Sequence, residues 1–322
     1  MCNDGGTAMR HVFILNPVAG KNQTALALKD KIDAYFANRP EQEYSVRLTD
    51  GVGAATRIAG EECERGDVRL YACGGDGTLQ ETANGIPTGR DDVELTVIPC
   101  GSGNDFVRTF GGGEPFCDLQ DLIEGVVVPV DAVNCGNCIS LNIASIGLDA
   151  AVGQKMQKYK SLPGVSGSMA YNIAVVDVIC HPIGVDMEIE IDSEQGIIRR
   201  KGRYLMTLAA NGRYYGGGYQ GAPTAVTDDG LLDFVLVKKI SRLQIPFVLG
   251  KYKAGNHEGV KCIETIRGTA MRVKAAKSMV CTIDGECFST EYIAFSTISN
   301  AYRFVLPATV AAKLNKTAQA LV

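Results

Sequence analysis

Two sequence patterns alternate regularly through the first third of the chain. Short apolar runs, typical of buried strands, alternate with segments whose apolar residues recur at helical spacing or that stop at a glycine. Strands are expected at residues 12–15, 44–48, 68–73 and 95–98, and helices at residues 23–38, 54–65, 78–84 and from about residue 104. This alternation predicts an α/β fold in which a parallel sheet carries helices on both faces.

The second half of the chain follows a different pattern. Val185, Met187 and Ile189 alternate with acidic or other polar neighbours, as in a strand with one exposed face. Further strands are expected at residues 203–210, 231–237, 271–273, 279–283 and 302–306, and one helix at residues 169–179. These elements predict a mostly antiparallel β domain over residues 132–306, after a first domain over residues 1–131. Residues 307–322 could pack back on the first domain.

Charge and hydropathy argue against two broad classes of protein. The chain of 322 residues has a net charge of −4, which argues against a general nucleic-acid binder. No apolar run approaches the roughly 18–20 residues that span a bilayer, and the polar segment 1–10 does not resemble a secretory signal. We therefore expect a cytosolic protein with reduced cysteines. Cys135 and Cys138 form a lone Cys-x-x-Cys pair, for which ordinary thiols are favoured over a metal or redox role.

Three of the expected strands end in glycine-rich loops. These loops are Asn-Pro-Val-Ala-Gly-Lys at residues 16–21, Gly-Gly-Asp-Gly-Thr at 74–78 and Pro-Cys-Gly-Ser-Gly-Asn-Asp at 99–105. In a parallel sheet all three lie at the carboxyl edge, where ligands bind, and each precedes a helix whose free N–H groups favour an anion. Together the loops predict a polyphosphate site, although any one of them alone is typical of an ordinary turn.

Asp76 lies inside the second of these loops. A carboxylate repels phosphate, whereas Mg²⁺ binds one or two carboxylates together with phosphate oxygens. Neither the Walker pattern nor the Gly-x-Gly-x-x-Gly fingerprint is present. We therefore expect a Mg²⁺-dependent nucleotide site of another kind, with a surface turn as the alternative explanation for Asp76.

Six motifs, taken together, resemble those of one enzyme family. Residues 74–78 resemble the nucleotide loop of diacylglycerol, sphingosine, ceramide and NAD kinases, and residues 16–21 and 101–108 resemble motifs of the lipid-kinase branch. Motifs similar to those of bacterial lipid kinases follow at residues 211–218, 227–233 and 283–286. Because all six occur in the family's order, the chain resembles the soluble bacterial diacylglycerol kinases. The resemblance implies a Rossmann-like first domain, as in NAD kinases, and a β-sandwich second domain.

The resemblance implies a site for ATP and indicates the residues that line it. Asp76 would act through Mg²⁺, and Ser102 stands where the family often has Thr. The implied nucleotide-site residues are Asn16, Pro17, Val18, Ala19, Gly20, Lys21, Thr49, Gly74, Gly75, Asp76, Gly77, Thr78, Leu79, Gln80, Gly101, Ser102, Asn104, Asp105 and Arg108.

The resemblance also implies the catalytic residues. Asp284 and Glu286 would be the acidic pair beside the acceptor hydroxyl, with one of them the general base, and Asp76 would complete the catalytic set. The charged network around the catalytic Mg²⁺ would contain Asp76, Asp105, Arg108 and Asp131. A hairpin turn is the alternative reading of Asp284-Gly285, but a turn does not require Glu286.

A second, structural Mg²⁺ is implied in the same way. Its ligands would be Asp229 and the backbone carbonyl groups of Val226 and Leu231. The alternative is simpler, because Asp228-Asp229-Gly230 is also a good turn between strands.

A lipid substrate requires contact with a membrane, and two basic stretches could provide it. One surrounds the apolar residues 245–249 and contains Lys238, Lys239, Arg242, Lys251 and Lys253; the other contains Lys155, Lys158 and Lys160. Each charge near an anionic lipid surface contributes about 1 kcal/mol. We expect a cytoplasmic protein associated peripherally with the inner face of the membrane. A solvated helix face is the alternative for either stretch.

The expected activity is ATP-dependent phosphorylation of a membrane lipid, with diacylglycerol as the default acceptor and phosphatidic acid as the product. Two alternatives stay open, an NAD kinase and an inactive nucleotide- or lipid-binding regulator. The motif at residues 101–105 favours the lipid kinases over the NAD kinases, and the intact acidic residues argue against an inactive protein. By resemblance, a homodimer is common among such kinases.

Overall fold

The computed structural model describes residues 9–20, 24–101, 103–160, 162, 169–170, 173–174, 177–178, 183–284 and 286–320. The chain divides into two compact units. Met1–Val130 and Asn300–Val322 form the first unit, and Asp131–Ser299 forms the second. Residues 300–306, which the sequence assigned to the second domain, thus fall within the first unit.

A parallel sheet forms the centre of the first unit. Its strands are β1 (Arg10–Leu15), β2 (Tyr44–Leu48), β3 (Val68–Gly74) and β4 (Val93–Pro99). They lie in the order β2-β1-β3-β4. The end of a long strand, β12 (Glu286–Leu306), continues this sheet by pairing in parallel with β4. The strand expected at residues 302–306 therefore exists, but it belongs to the parallel sheet, where the Thr96 hydroxyl donates to the Val305 carbonyl oxygen over 2.8 Å.

The helices of the first unit follow the expected alternation. They are α1 (Thr24–Phe36), α2 (Ala54–Glu64), α3 (Asp76–Gly85), α4 (Asp105–Arg108), α5 (Leu119–Ile123) and the C-terminal α8 (Ala308–Ala320). Helix α3 begins two residues earlier than expected, inside the second glycine-rich loop. Helix α8 is joined to α5, because the Thr309 N–H donates to the Asp121 carboxylate over 3.1 Å.

Apolar residues from the strands form the core of this unit. Phe13 and Tyr71 are fully buried and stack with ring centroids 4.2 Å apart. Burying side chains of this size contributes roughly 1.5–3 kcal/mol each. A buried ion pair, Arg69 with Glu94 at 2.7 Å, links β3 to β4.

The second unit is an antiparallel β structure. Its strands are the second part of β5 (Val126–Asn134), β6 (Ile139–Ser140), β7 (Ile143–Gly147), β8 (Val185–Ser193), β9 (Gly196–Ala210), β10 (Leu232–Lys238), β11 (Ile263–Ile283) and the first part of β12. Strands β10-β9-β7-β11-β12 are neighbours in that order, and β8 pairs with both β9 and β11. The parallel sheet of the first unit and the antiparallel second unit confirm the predicted fold class.

Two predictions in the second unit need correction. The strands expected at residues 271–273 and 279–283 are parts of one strand, β11, whose register shifts between Lys274 and Met279. The backbone absorbs this irregularity as a bulge without leaving the sheet. The sequence also missed α6 (Leu148–Lys160). The helix expected at residues 169–179 lies partly outside the described residues; those described there are helical.

One further helix, α7 (Ile245–Lys253), follows a 3₁₀ turn at Arg242–Gln244. In the described part of the chain, every helix is too short or too polar to cross a lipid bilayer.

Candidate nucleotide and acceptor sites

The three glycine-rich loops leave neighbouring strands at the same edge of the parallel sheet. Backbone hydrogen bonds join them. The Asn16 N–H donates to the Cys73 carbonyl oxygen over 3.0 Å, and the Cys100 N–H donates to the Gly74 carbonyl oxygen over 2.8 Å. The Thr49 N–H, after β2, donates to the carbonyl oxygen at the end of β1 over 2.9 Å. The structure therefore brings all three loops and Thr49 together.

Close contacts between backbone segments explain why several positions in these loops are glycine. A Cβ atom on Gly101 would lie 2.5 Å from the Gly75 Cα, and one on Gly74 would lie 2.2 Å from the Thr78 hydroxyl oxygen. A Cβ atom on Gly103 would lie 2.6 Å from the Asp76 carboxylate. Real Cβ atoms do not approach other atoms this closely, so larger residues would force the second and third loops apart.

Side chains add to the contacts between the first and second loops. The Asn16 amide donates to the Thr78 hydroxyl over 3.2 Å and accepts from the Val18 N–H over 3.1 Å. Leu79 and Gln80 are buried in α3, so their side chains support the loop from behind. Among the remaining expected residues, Pro17, Ala19 and Gly20 lie in the first loop, and Gly77 is the second residue of α3. The predictions for Lys21 and Ser102 lie outside the described residues.

Asp76 is the first residue of α3 and connects the second loop to the third. Its carboxylate accepts the Asp105 N–H over 2.7 Å. Burial raises the pKa of Asp76, the nearby Asp105 carboxylate raises this pKa further, and the backbone N–H groups of residues 104–106 oppose the shift. The protein thus orients this carboxylate while leaving it in an environment that disfavours its negative charge.

Asp105, Arg108 and Asn104 continue the same cluster. Asp105 is buried, and its carboxylate lies 3.2 Å from the Arg108 guanidinium, which also donates to the Gly103 carbonyl oxygen over 3.2 Å. Asn104 adopts a left-handed conformation with φ of 51° and donates to the Gly101 carbonyl oxygen over 2.8 Å. Asn tolerates this backbone conformation better than most residues. The turn directs the N–H groups at the start of α4 toward the Asp76 carboxylate.

This donor set fits a Mg²⁺ ion that is shared with phosphate groups. Mg²⁺ prefers oxygen ligands and is usually bound by one or two carboxylates, with phosphate oxygens and water completing its coordination. Asp76 and Asp105 supply two neighbouring carboxylates, and a cation beside them would relieve the repulsion that raises the pKa of Asp76. The described residues contain no group of three or more His, Cys, Asp or Glu side chains arranged to hold a metal.

Asp284 lies at the hairpin between β11 and β12. Its φ is 44°, in the left-handed region, and its carboxylate accepts the Ile143 N–H over 3.4 Å. Glu286 pairs with Ile283 across the hairpin through the backbone, but its side chain lies outside the described part of the structure. The role of this acidic pair at the acceptor hydroxyl stays a prediction.

Sequence reasoning did not select Asp149, a further acidic residue of the second unit. It lies in the first turn of α6, directly after β7. Burial raises the pKa of Asp149, and the hydroxyl groups of Ser145 and Tyr215 oppose the shift. The sequence signal for Asp149 is a polar residue at the junction between an apolar strand and a helix. Asp149 and Asp284 lie at opposite ends of β7.

In the loop expected to bind a second Mg²⁺, the carboxylates already form hydrogen bonds and an ion pair within the protein. Asp131 accepts the Gly230 N–H over 2.6 Å, and the Asp131 N–H donates to the Thr227 carbonyl oxygen over 2.6 Å. One carboxylate oxygen of Asp229 accepts the Leu231 N–H over 3.0 Å, and the other is paired with the Arg267 guanidinium.

This arrangement does not fit a second Mg²⁺ at Asp229. A divalent ion there would lie beside a guanidinium that already neutralises the carboxylate, and the two cations would repel each other. Val226 and Leu231 belong to the same loop as Asp229. The second metal site therefore stays a prediction that requires Arg267 to move.

Comparison with known proteins also gives two successive domains. The family model of the diacylglycerol kinase catalytic domain matches residues 10–135, and that of the YegS C-terminal NAD kinase beta sandwich-like domain matches residues 142–305. A Pseudomonas aeruginosa protein named "Probable lipid kinase YegS-like" is 30% identical over 273 residues, which cover 83% of this chain and 86% of the relative. A protein of the same name from Pseudomonas syringae pv. tomato is 30% identical over 293 residues, covering 88% and 90%.

A solved structure supports the fold. The crystal structure of a diacylglycerol kinase from Bacillus anthracis str. Sterne aligns with a TM-score of 0.68, covering 95% of this chain and 99% of that one. At 20% sequence identity this likeness shows the fold alone.

The interlocked loops on a parallel sheet, followed by an antiparallel β unit, define a kinase of the diacylglycerol kinase type. Kinases of this type use ATP as the phosphoryl donor. Because the matches cover both units, they also define the family: the chain belongs to the YegS-like lipid kinases.

Proposed function

We propose that this protein transfers the γ-phosphoryl group of ATP to the hydroxyl of diacylglycerol, in a Mg²⁺-dependent reaction that yields phosphatidic acid and ADP. The observation that carries the proposal is the cluster in which Asp76, at the start of α3, accepts the Asp105 N–H over 2.7 Å between interlocked glycine-rich loops. Such a cluster offers both N–H donors for phosphate and carboxylates for a cation.

The loops would bind the nucleotide through their backbone. N–H groups at the start of α3 favour phosphate oxygens, and the exposed Gly77 leaves room for close approach. When bound, Mg²⁺ would offset charge on the phosphate groups. Lys21 would add a positive charge at the first loop. Phosphoryl transfer needs little more from a protein than positioning and charge stabilisation.

The acceptor step needs a base for the lipid hydroxyl. Asp284 or Glu286 would take the proton as the hydroxyl oxygen forms its bond to the γ-phosphorus and the bond to the leaving ADP oxygen breaks. A positioned base of this kind contributes about 10²–10⁴-fold to the rate. Asp284 is held at a fixed backbone position by its hairpin, which suits this role.

The lipid acceptor also implies where the protein works. We include in the proposal a peripheral association with the inner face of the membrane, and a homodimer as the assembly that the family resemblance suggests.

The test is a phosphorylation assay with purified protein, labelled ATP, Mg²⁺ and a panel of lipids in mixed micelles. We expect label in diacylglycerol, with loss of the signal when Mg²⁺ is chelated. Label in undecaprenol, phosphatidylglycerol or ceramide would show that diacylglycerol is not the acceptor, but the protein would still be a lipid kinase. Label in NAD instead of any lipid would favour an NAD kinase. ATP binding without transfer to any acceptor would favour an inactive regulator.

A further inference from the structure

The segment of the second unit that contains α7 presents large apolar side chains to solvent. Leu243 is 93% exposed and Phe247 is 68% exposed, and no other large apolar side chain among the described residues of this unit is as exposed. Single apolar residues are common on protein surfaces. Leu243 lies in the 3₁₀ turn that runs directly into α7, and Phe247 follows it four residues later in that helix, so we treat the two as one apolar patch.

Buried residues on the opposite side fix the orientation of this helix. Ile245 and Tyr252 are buried in the core of the second unit. The Tyr252 hydroxyl lies 3.1 Å from the Tyr215 hydroxyl, and the Tyr252 ring centroid lies 4.9 Å from that of His257. Residues seven apart share one stripe of a helix, which leaves Leu243 and Phe247 on the outward side. The exposure therefore follows from how the helix is anchored.

The same segment is basic, although the chain as a whole carries a net charge of −4. Residues 238–257 contain no Asp or Glu, and the basic residues among them are Lys238, Lys239, Arg242, Lys251 and Lys253. All five are exposed. The Lys251 ammonium lies 4.9 Å from the centroid of the Phe247 ring, so positive charge borders the apolar patch directly.

We propose that Leu243 and Phe247 insert into an anionic lipid bilayer while the surrounding lysines and Arg242 contact the lipid headgroups. An apolar face bordered by basic side chains is the pattern of helices that lie in a membrane interface. Lipid acyl chains match the patch, and anionic headgroups match its charge. This inference rests on the proposed function, since a lipid acceptor has to be reached in a membrane, and it assigns the docking contact to α7.

The second basic stretch is less suited to this contact. Lys155 is paired with Asp177 at 2.8 Å, so its charge is already offset within the protein. The surface that we assign to docking therefore comprises Leu243, Phe247 and the five basic residues of segment 238–253.

The test compares three variants of the full chain in sedimentation with vesicles of phosphatidylglycerol and phosphatidylcholine. Leu243→Ser with Phe247→Ser removes the apolar contact and should weaken binding about 10–100-fold. Lys251→Glu with Lys253→Glu should weaken vesicle binding at least about tenfold. A higher salt concentration should reduce the difference in binding between this variant and the wild type. Arg199→Glu with Lys201→Glu is the matched charge control, because both side chains are exposed on another part of the same unit.

Each variant is also assayed with a short-chain diacylglycerol below its micelle concentration, which needs no membrane contact. We expect the two α7 variants to keep this activity within about twofold and to lose activity on vesicles, because the changed side chains are exposed. If the Leu243→Ser, Phe247→Ser variant melts at a lower temperature than the wild type, the Lys251→Glu, Lys253→Glu variant alone tests the docking surface.

The proposal is overturned if wild-type protein does not bind anionic vesicles, or if both α7 variants bind them as the wild type does. It is also overturned if the control pair loses as much binding as the α7 charge variant. By contrast, wild-type protein that binds vesicles but phosphorylates neither short-chain nor vesicle diacylglycerol would contradict the proposed function and leave the docking surface intact.

Discussion

The two units of this protein hold their functional residues by different means. In the first unit the backbone sets the site: a Cβ on Gly101 would meet the Gly75 Cα at 2.5 Å, and Asp76 is held by a backbone N–H at 2.7 Å. In the second unit Asp284 and Asp229 lie in turns: Asp284 accepts a backbone N–H over a longer distance of 3.4 Å, and Asp229 is paired with a side chain. A site set by backbone contacts has few ways to adjust, whereas side chains in turns can exchange partners.

This difference suggests that the first unit binds the nucleotide and the second unit serves the acceptor. The triphosphate presents the same charged oxygen atoms in every ATP molecule, so a fixed set of N–H groups suits it. An acceptor drawn from a membrane has to enter and leave, which suits residues on turns. We therefore expect substitutions in the first unit to affect ATP binding or phosphoryl transfer, and some of them also stability. In the second unit, substitution of Asp284 should lower kcat without changing ATP affinity or stability.

The largest expected effect comes from Asp284→Asn. Asn tolerates the left-handed φ of 44° and can still accept the Ile143 N–H, so the hairpin should survive. If Asp284 is the base, kcat falls by about 10²–10⁴-fold while the affinity for ATP and the melting temperature stay unchanged. Steady-state kinetics with short-chain diacylglycerol, calorimetric ATP titration and thermal melting check these three quantities.

Glu286→Gln is the matched variant for this experiment, because it removes the charge of the other predicted acid. The variant with the larger fall in kcat identifies the base. Unchanged kcat in both variants would contradict the assignment of the base to this hairpin.

A smaller loss of activity is expected for Asp76→Asn, about 10²–10³-fold in kcat, because an oriented charge at the phosphate site is lost. Stability should change in the opposite direction. The folded-state pKa of Asp76 is raised, so its contribution to stability is present at low pH and is lost as pH rises through that pKa. At neutral pH the ligand-free variant should therefore melt at the same temperature as the wild type or at a higher one.

Thermal melting from pH 4 to pH 8 measures this effect. The wild type should lose more stability than Asp76→Asn as pH rises through the pKa of Asp76. A variant that melts well below the wild type at neutral pH, without ligand, would mean that the carboxylate is structural.

The sequence predicted the first unit better than the second. Its apolar runs and glycines set the strands and loops locally, so β2 has the expected bounds and the three loops meet at one edge. The strand at residues 302–306 was predicted, but its place in the antiparallel β domain was wrong, because its partner, β4, is about 200 residues away in the sequence and no local pattern records that pairing. The bulge that joins the two halves of β11 was missed for a similar reason, since cross-strand pairing keeps that segment extended.

The candidate site was predictable where the backbone defines it. Gly74, Gly101 and Gly103 stand out in the sequence because close approach excludes other residues. Partners of side chains were not predictable. Nothing local connects Arg267 to Asp229, and the burial of Asp149 depends on the packing of α6, a helix with a weak apolar stripe.

Gly101→Ala tests whether the first unit is as tightly set as its contacts indicate. The new Cβ would lie 2.5 Å from the Gly75 Cα, and neither backbone can yield easily. We expect the free energy of unfolding to fall by about 1–3 kcal/mol, with weaker ATP binding. Chemical denaturation and calorimetric titration measure both.

Gly77→Ala is the control for this substitution, because a Cβ at Gly77 would meet no atom within 4 Å and α3 favours Ala over Gly. It should keep full stability and lose only ATP affinity, if phosphate approaches the backbone there. Equal stability of the two variants would show that the loops are looser than their contacts indicate.

The smallest expected effect concerns the loop at Asp229. Arg267 pairs with Asp229 and lies 3.4 Å from the buried Asp233, so Arg267→Ala leaves two carboxylates without this cation. Because Arg267 is partly exposed, the loss of stability should be only about 1 kcal/mol. With the guanidinium gone, the Asp229 carboxylate becomes available to a metal ion, and millimolar Mg²⁺ should restore part of the melting temperature.

Asp229→Asn combined with Arg267→Ala controls for Mg²⁺ bound elsewhere, because it removes the carboxylate that the ion would use. Mg²⁺ should raise the melting temperature of the single variant more than that of the double variant. Equal Mg²⁺ responses would contradict the idea that Arg267 occupies the position of a cation. A larger response in the single variant would mean that a turn of the second unit can exchange a side-chain cation for a metal ion.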